Sequence, residues 1–272
     1  MPWPRAITPE RHQQQRTISG GGSRLSWRRR WDDLLAMSTV SLELARRFGD
    51  LAREGITLIN QGSSLYHMRR LNEALTVLHD AVTIFRRIGD RSRLAGALSN
   101  LGVVQRDANQ FGQSVSTLYQ ALAIYREVGE EHGEAEALSN LGRVLAREGQ
   151  TDAAIAVFYD AVAIFRRIGD RYSEGKVLDN LGGVLGEAGR ISEAIPVLRT
   201  AESILRESGD MYSHGAALND LGGALIEANE FDHAISVLSE AIAIFRKTGD
   251  RRAEGIALDN LKLAQAARQA QG

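Results

Sequence analysis

Gly169-Asp170-Arg171, followed by Leu178-Asp179-Asn180-Leu181-Gly182, is one copy of a signal that returns every 40 residues along the chain. Gly-Asp stands at 49–50, 89–90, 169–170, 209–210 and 249–250, and Gly129-Glu130 fills the remaining slot. In step with it, Leu-Ser-Asn-Leu-Gly occupies 98–102 and 138–142, with variants Leu-Asn-Asp-Leu-Gly at 218–222 and Leu-Asp-Asn-Leu-Lys at 258–262. A period of about 20–50 residues marks a solenoid or array. The 272 residues are therefore read as stacked units rather than as one or two globular domains.

Composition agrees with an all-α protein. Apolar residues make up 43% and aromatics 6%, and the dominance of Ala, Leu, Arg and Glu favours helix over a β-rich core. The chain has no Cys, which removes disulfide and thiolate chemistry and points to an intracellular setting. No apolar run approaches the roughly 20 residues that span a bilayer, and the start of the chain lacks a secretory apolar core. A cytoplasmic protein without a membrane partner is expected.

Taken in order, residues 1–26 hold Pro2, Pro4, Pro9, three consecutive Gln and three consecutive Gly. They form a basic segment expected to be disordered, because it cannot bury enough apolar surface to offset its ordering entropy. Residues 1–30 carry a net charge of +6, leaving −7 for the rest; a solvated basic tail explains this, and a nucleic-acid partner is not expected. The array is expected over 27–270. Residues 27–48 match the second helix of a unit whose first helix is missing, and their unpartnered apolar face could be covered by Trp27 and Trp31 or by a second chain, a route to self-association. Five helix pairs follow over 51–248. The first (A) helices lie near 51–67, 91–108, 131–148, 171–188 and 211–228, and the second (B) helices near 71–88, 112–128, 152–168, 192–208 and 232–248. A polar, Ala-rich helix at 251–270 closes the array as a solvent-facing cap.

Local chemistry sets the joints. Gly at the end of each B helix suits the left-handed C′ position, and the following Asp can accept the free N–H groups of the next A helix. At the A-to-B turns, Asn72, Asp152, Ser192 and Asp232 stand as N-cap candidates, with Gly112 the weak member. Pro196 is placed in a first turn, where a missing N–H costs little. Ala74, Ala154, Ala194 and Ala234, and Ala81, Ala121, Ala161, Ala201 and Ala241, mark close helix approaches. Leu78, Leu118, Phe158, Leu198 and Leu238 on B, and Leu101, Leu141, Leu181 and Leu221 on A, fill the space between.

These units resemble tetratricopeptide repeats. The signature of that family maps onto Leu138, Leu141, Gly142, Leu145, Ala154, Phe158, Ala161 and Arg166. Arg166 departs from the usual Pro, and the unit is longer than the common form of about 34 residues. The longer variety is similar to the arrays of Pins-type adaptors, and more so to the C-terminal arms of actinobacterial STAND ATPases and AfsR-like transcriptional regulators. The resemblance implies an α-solenoid of helix-turn-helix repeats wound as a right-handed superhelix. It also implies a concave wall of A helices and binding of a protein or peptide.

The position two before the repeat Gly holds Asn60, Asn100, Asn140, Asn180, Asp220 and Asn260. Asn140 lies about 130° from the centre of the Leu138, Leu141, Leu145 stripe and so borders the apolar face. Asn is a mediocre helix former, and its recurrence wants a reason. Two readings stand: an amide bonding the neighbouring A helix to hold the stack, or a ladder of amides for an extended main chain, which family resemblance favours. Arg143 and Arg147 make a basic patch beside Asn140. Lys176 accompanies Asn180, and Glu187, Asp220 and Glu227 turn the wall acidic toward the C-terminus.

Catalytic and cofactor signals are absent from the sequence. One residue too many separates Gly169 from Gly175-Lys176 for a phosphate loop, and Val177 stands where Ser or Thr is needed. The His residues at 12, 67, 79, 132, 214 and 233 offer no metal-binding spacing. Arg46-Arg47, Arg86-Arg87, Arg166-Arg167 and Arg246-Lys247 end B helices, where cations complement the macrodipole. A non-enzymatic scaffold without cofactor or metal is expected, its concave groove taking an extended peptide or partner helix. The alternative is the sensor arm of a larger STAND ATPase or transcriptional regulator.

Overall fold

The computed structural model of the protein describes residues 24–271, with side chains from Trp31 onward. The expectation of disorder over 1–26 lies outside the described residues except at 24–26, which belong to a helix. That short Arg-Leu-Ser stretch contains no breaker, so the helix runs through it.

The described residues are all helix and tight joint, and they divide into two compact units at Gln150/Thr151. The N-terminal unit contains α1 (Arg24–Phe48), α2 (Leu51–His67), α3 (Leu71–Ile88), α4 (Arg91–Asp107), α5 (Phe111–Val128) and α6 (Glu131–Arg147). The C-terminal unit contains α7 (Thr151–Ile168), α8 (Arg171–Glu187), α9 (Ile191–Glu207), α10 (Met211–Glu227), α11 (Phe231–Thr248) and α12 (Arg251–Gln271). Within each unit every helix packs on the next, and the even-numbered A helices also touch in series, α2 on α4 on α6 and α8 on α10 on α12. This consecutive pairing is the architecture of an α-solenoid.

One dipeptide stops a helix and starts another. Gly49, Gly89, Gly129, Gly169, Gly209 and Gly249 all adopt positive φ, between 68° and 78°. There the absence of a Cβ lets the chain reverse without steric cost. The next residue then caps the A helix: Asp50, Asp90, Asp170 and Asp250 each accept the N–H three residues on, at 2.9–3.0 Å. Asp210 takes both Tyr212 and Ser213 N–H groups. Glu130, one methylene longer, makes no capping bond. Across the same joints Arg46, Arg126, Arg166 and Arg246 reach Glu54, Glu134, Glu174 and Glu254. Arg166 thus ties the B helix to the next A helix where the family's Pro would have ended it.

The A-to-B joints differ from expectation. The B helices begin at Leu71, Phe111, Thr151, Ile191 and Phe231, so Asn72, Asp152, Ser192 and Asp232 sit at the second helical position rather than at the cap. Backbone alone makes the reversal. Arg69, Asn109, Gly149, Gly189 and Asn229 take positive φ, and the following N–H bonds back across the turn, as from Arg70 to Leu65 C=O at 2.9 Å. The N-cap residues Arg70 and Arg190 instead clasp Glu73 and Glu193 through two hydrogen bonds each. The same shift moves Pro196 to the sixth residue of α9, beyond the first turn. There it deprives the Ser192 carbonyl of an intrahelical donor.

The core follows the repeat. The Ala columns at 74, 154, 194 and 234 and at 81, 121, 161, 201 and 241 are fully buried. Gly62, Gly102, Gly182 and Gly222 let a B-helix leucine sit against A-helix backbone: a Cβ on them would lie 2.4–2.7 Å from Cγ of Leu78, Leu118, Leu198 or Leu238. Ser114, in the Ala column, donates its hydroxyl to Gly102 C=O at 2.6 Å. At the end of the C-terminal unit, Ala253 and Ala257 of α12 cover Ile242 and Phe245 of α11, while Lys262 stays in solvent, paired with Asp259. In the N-terminal unit α1 leaves Met37, Val40, Leu44 and Phe48 exposed, and Trp31 stacks on His67 at 4.3 Å.

Candidate functional site

Each A helix presents one residue of the Asn column, and the two units use the column differently. In the N-terminal unit Asn60 is exposed, and Asn100 and Asn140 are half-buried. Beside Asn140 on α6, Arg143 is half-buried, and Arg147 is exposed with its guanidinium 5.8 Å from the Phe111 ring centroid. In the C-terminal unit Lys176 and Asn180 of α8 are half-buried, and the Lys176 ammonium lies 5.3 Å over Tyr172. Asp220 is buried and accepts from the Asn219 amide at 3.3 Å. Asn260 is buried too, and it donates to Asn219 Oδ1 at 3.0 Å. At Asn260 the amide therefore ties α12 to α10, the first of the two readings given above.

Two of the series contacts between A helices, α8 on α10 and α2 on α4, carry a tyrosine–carboxylate bond. Tyr172 of α8 donates to Asp210, the N-cap of α10, at 2.7 Å. Burial, then this bond to a carboxylate, pushes the Tyr172 hydroxyl up to about 12. Burial alone would raise Asp210, but hydrogen bonds from the Ser213 and Tyr172 hydroxyls and two backbone N–H groups hold it below the ordinary carboxylate range.

A second such contact lies in the N-terminal unit. Tyr66 of α2 donates to Asp107 Oδ2 of α4 at 2.8 Å, and Arg106 Nε donates to Asp107 Oδ1 at 2.9 Å. Arg69 Nη1 stands 3.7 Å from Asp107 Oδ2. Burial, followed by the Asp107 charge, pushes Tyr66 up to about 12, against the opposing charges of Arg106 and Arg143. Arg143, singled out from the sequence, therefore belongs to the electrostatic surroundings of this cluster. Tyr66, Arg106 and Asp107 escaped sequence reading. Their signal was a broken column: Tyr66, Arg106, Ala146, Gly186 and Ile226 share one position of the repeat, and one of the five is charged.

A family model of the tetratricopeptide repeat matches residues 53–127 and 133–207. The chain belongs to the tetratricopeptide repeat family. Among solved structures it is similar to BtubC (BKLC) from P. vanneervenii, with a TM-score of 0.72 and 19% identity over 80% of this chain and 92% of that one. It is similar to the STAND protein with a tetratricopeptide repeat sensor, PH0952 from Pyrococcus horikoshii, with a TM-score of 0.70 and 14% identity. That match covers 79% of this chain and 33% of the other. A Rap protein complexed with Competence and Sporulation Factor matches with a TM-score of 0.60 and 14% identity, over 90% of this chain and 73% of that one. No curated protein sequence matches. At these identities the structures establish the fold, and membership of the tetratricopeptide repeat family implies a protein-interaction scaffold. Among the described residues no helix is long and apolar enough to cross a membrane, and no group of three or more His, Cys, Asp or Glu side chains could hold a metal.

Proposed function

We propose that this tetratricopeptide repeat protein is a non-enzymatic scaffold whose A-helix face binds an extended peptide or a partner helix. The observation that carries the reading is the recurrence of an amide at one repeat position, left accessible on Asn60, Asn100 and Asn140 of one unit with Arg143 and Arg147 beside it. A side-chain amide offers a donor and an acceptor together, which is what a main-chain peptide group requires. The likeness to a Rap protein complexed with Competence and Sporulation Factor supports use of this fold for capture of a partner. Lys176 and Asn180 are the half-buried candidates of the C-terminal unit, while Asp220 is buried against Asn219. Asn260 is withdrawn from the binding set because its amide is occupied by Asn219.

The test is affinity capture of partners from the native cell by the full chain, with mass spectrometry, followed by titration of the purified partner. Asn100→Ala with Asn140→Ala should lower affinity by about 1–3 kcal/mol, the worth of two bonds lost on desolvation, with little change in melting. Equal affinity for the double variant would return both residues to a structural role. A second reading, the sensor arm of a larger regulator, is favoured by the match to a third of the STAND protein that carries a tetratricopeptide repeat sensor. A nucleotide-binding domain encoded in the same reading frame would establish it.

A further inference from the structure

α1 stands where a B helix belongs but does not carry the side chains of one. The other B helices have Leu78, Leu118, Phe158, Leu198 and Leu238 in the column of Ser38, and Phe85, Tyr125, Phe165, Leu205 and Phe245 in that of Ala45. Those columns face the A helix of the same repeat: a Cβ on Gly62 or Gly55 of α2 would strike Leu78 or Phe85 of α3. Among the described residues α1 has no such A helix. Its large apolar side chains stand elsewhere. Leu34 replaces the Ala of its column, and Val40 occupies a column otherwise made of Asp80, Gln120, Asp160, Thr200 and Glu240. With Met37, Leu44 and Phe48 they form a stripe about 120° wide, all of it exposed. Leu44 is 47% exposed, where Ile84, Ile124, Ile164 and Ile204 of its column are 3–8% exposed. Toward α2 the helix buries only Leu42 and Ala45, beside a Ser41–Thr57 hydroxyl pair at 3.4 Å. It thus turns its bulkier apolar side to solvent, the mark of an interaction surface.

We propose that this stripe is the contact of a homodimer in which α1 pairs antiparallel with α1 of a second copy, about a two-fold axis beside Val40. Charge selects both the occupant and its direction. Asp33 and Arg47, both exposed, stand seven residues before and after Val40, so the three form one line along an edge of the stripe. A two-fold axis perpendicular to the helix keeps that line on the same side of both copies. Val40 then meets its own counterpart, and Asp33 comes level with Arg47 at each end. In this register Met37 lies within one residue of Leu44 and Leu34 within two of Phe48, offsets of about 1.5 and 3 Å along the axis. A parallel pair would instead set Asp33 level with Asp33 and Arg47 level with Arg47, and like charges oppose association. An isologous contact needs only one self-complementary patch, which α1 has. The small side chains at Ser38 and Ala45 leave no knobs for an A helix in this place.

The experiment is sedimentation equilibrium of the full chain from about 1 to 100 µM, with circular dichroism melts as the folding control. A reversible monomer–dimer equilibrium is expected. Val40→Glu introduces the side chain that Glu240 already shows in this column, so the fold is kept. It should weaken dimerisation at least about tenfold by setting two carboxylates at the axis. Asp33→Arg or Arg47→Asp alone should weaken it by about threefold to tenfold at low salt, and the two together should restore the association of the natural sequence. Tyr119→Ser removes an exposed apolar side chain of α5 and should leave association unchanged. A monomer at every concentration would overturn the proposal and leave the stripe to residues 1–23 or to a different protein. A dimer that survives Val40→Glu would overturn it too, because the contact would then lie elsewhere. Charge reversals that weaken association singly without recovery in the double variant would overturn the antiparallel pairing.

Discussion

Gly96→Ala and Gly102→Ala place the same methyl group on the same helix, α4, and should move stability in opposite directions. Ala favours a helix interior over Gly by about 1 kcal/mol, and this gain is common to both variants. At Gly96 the new Cβ would meet nothing closer than the Tyr125 hydroxyl at 3.8 Å, an ordinary contact, so a net gain of about 0.5–1 kcal/mol is expected. At Gly102 it would lie 2.7 Å from Leu118 Cγ and 2.9 Å from Cδ2. Leu118 is fully buried, and Cγ is a branch point rather than a free end, so relief requires shifting the whole side chain. Overpacking of this kind costs about 1–3 kcal/mol. The shared helix gain cancels in the comparison, so the gap between the two variants should be the overpacking cost itself, about 1–3 kcal/mol. Urea unfolding reads it as midpoints moving apart at unchanged slope. Leu118→Ala alone should cost about 2–5 kcal/mol, but in the Gly102→Ala background it should cost less, because the added methyl occupies part of the vacated space. A Gly102→Ala midpoint that rises as far as that of Gly96→Ala would refute the claim that leucine packing on A-helix backbone requires the repeat glycine.

The other predictions concern α9 and the tyrosines between A helices. Pro196→Ala should stabilise the C-terminal unit by about 1–2 kcal/mol, the recovered hydrogen bond and removed ring clash less the restraint proline places on the unfolded chain; a lower melting temperature would count against the misplaced-proline account. Tyr66 and Tyr172 ionise near 12 in the folded chain, above the ordinary value of about 10. Their raised values favour the neutral folded form, so the stability they lend is complete below pH ~10 and is lost as pH rises toward 12. Alkaline unfolding curves should flatten in that window when both are changed to Phe, and phenolate absorbance checks the assignment. Asp210 carries the opposite sign: its depressed value contributes stability above the ordinary carboxylate range that is lost as pH falls through its folded pKa, and Asp210→Asn should remove that acid sensitivity.

Helix boundaries were legible because their punctuation is local. A Gly-Asp joint needs a left-handed residue and a short acceptor, both properties of the residue itself, and five of the six joints supply both. The A-to-B joints were misread for the complementary reason. Asn72, Asp152, Ser192 and Asp232 have good capping chemistry, but the reversal is carried by a positive-φ backbone at residues as unlike as Arg69 and Gly189. Composition could not reveal this, and Pro196 was misplaced by the same single-residue slip.

The site shows how far a repeating pattern can be followed. A 40-residue period fixes where a side chain leaves the backbone, but its partner comes from another column. Asn260 is held by Asn219, and Asn219 occupies the column that elsewhere carries Ile59, Ser99, Ser139, Asp179 and Asp259. Asn60 remains exposed, so equal positions do equal work in the backbone and unequal work at the surface. Stability is correspondingly carried by columns that do not vary, such as Ala81 to Ala241 and Gly62 to Gly222, where a larger residue would separate the helices. A charge introduced once into an otherwise uncharged column cannot serve the stack in that way. Arg106 is such a charge, and its guanidinium, buried with only Nε bonded to Asp107, is a cost to the stack that the invariant columns do not carry.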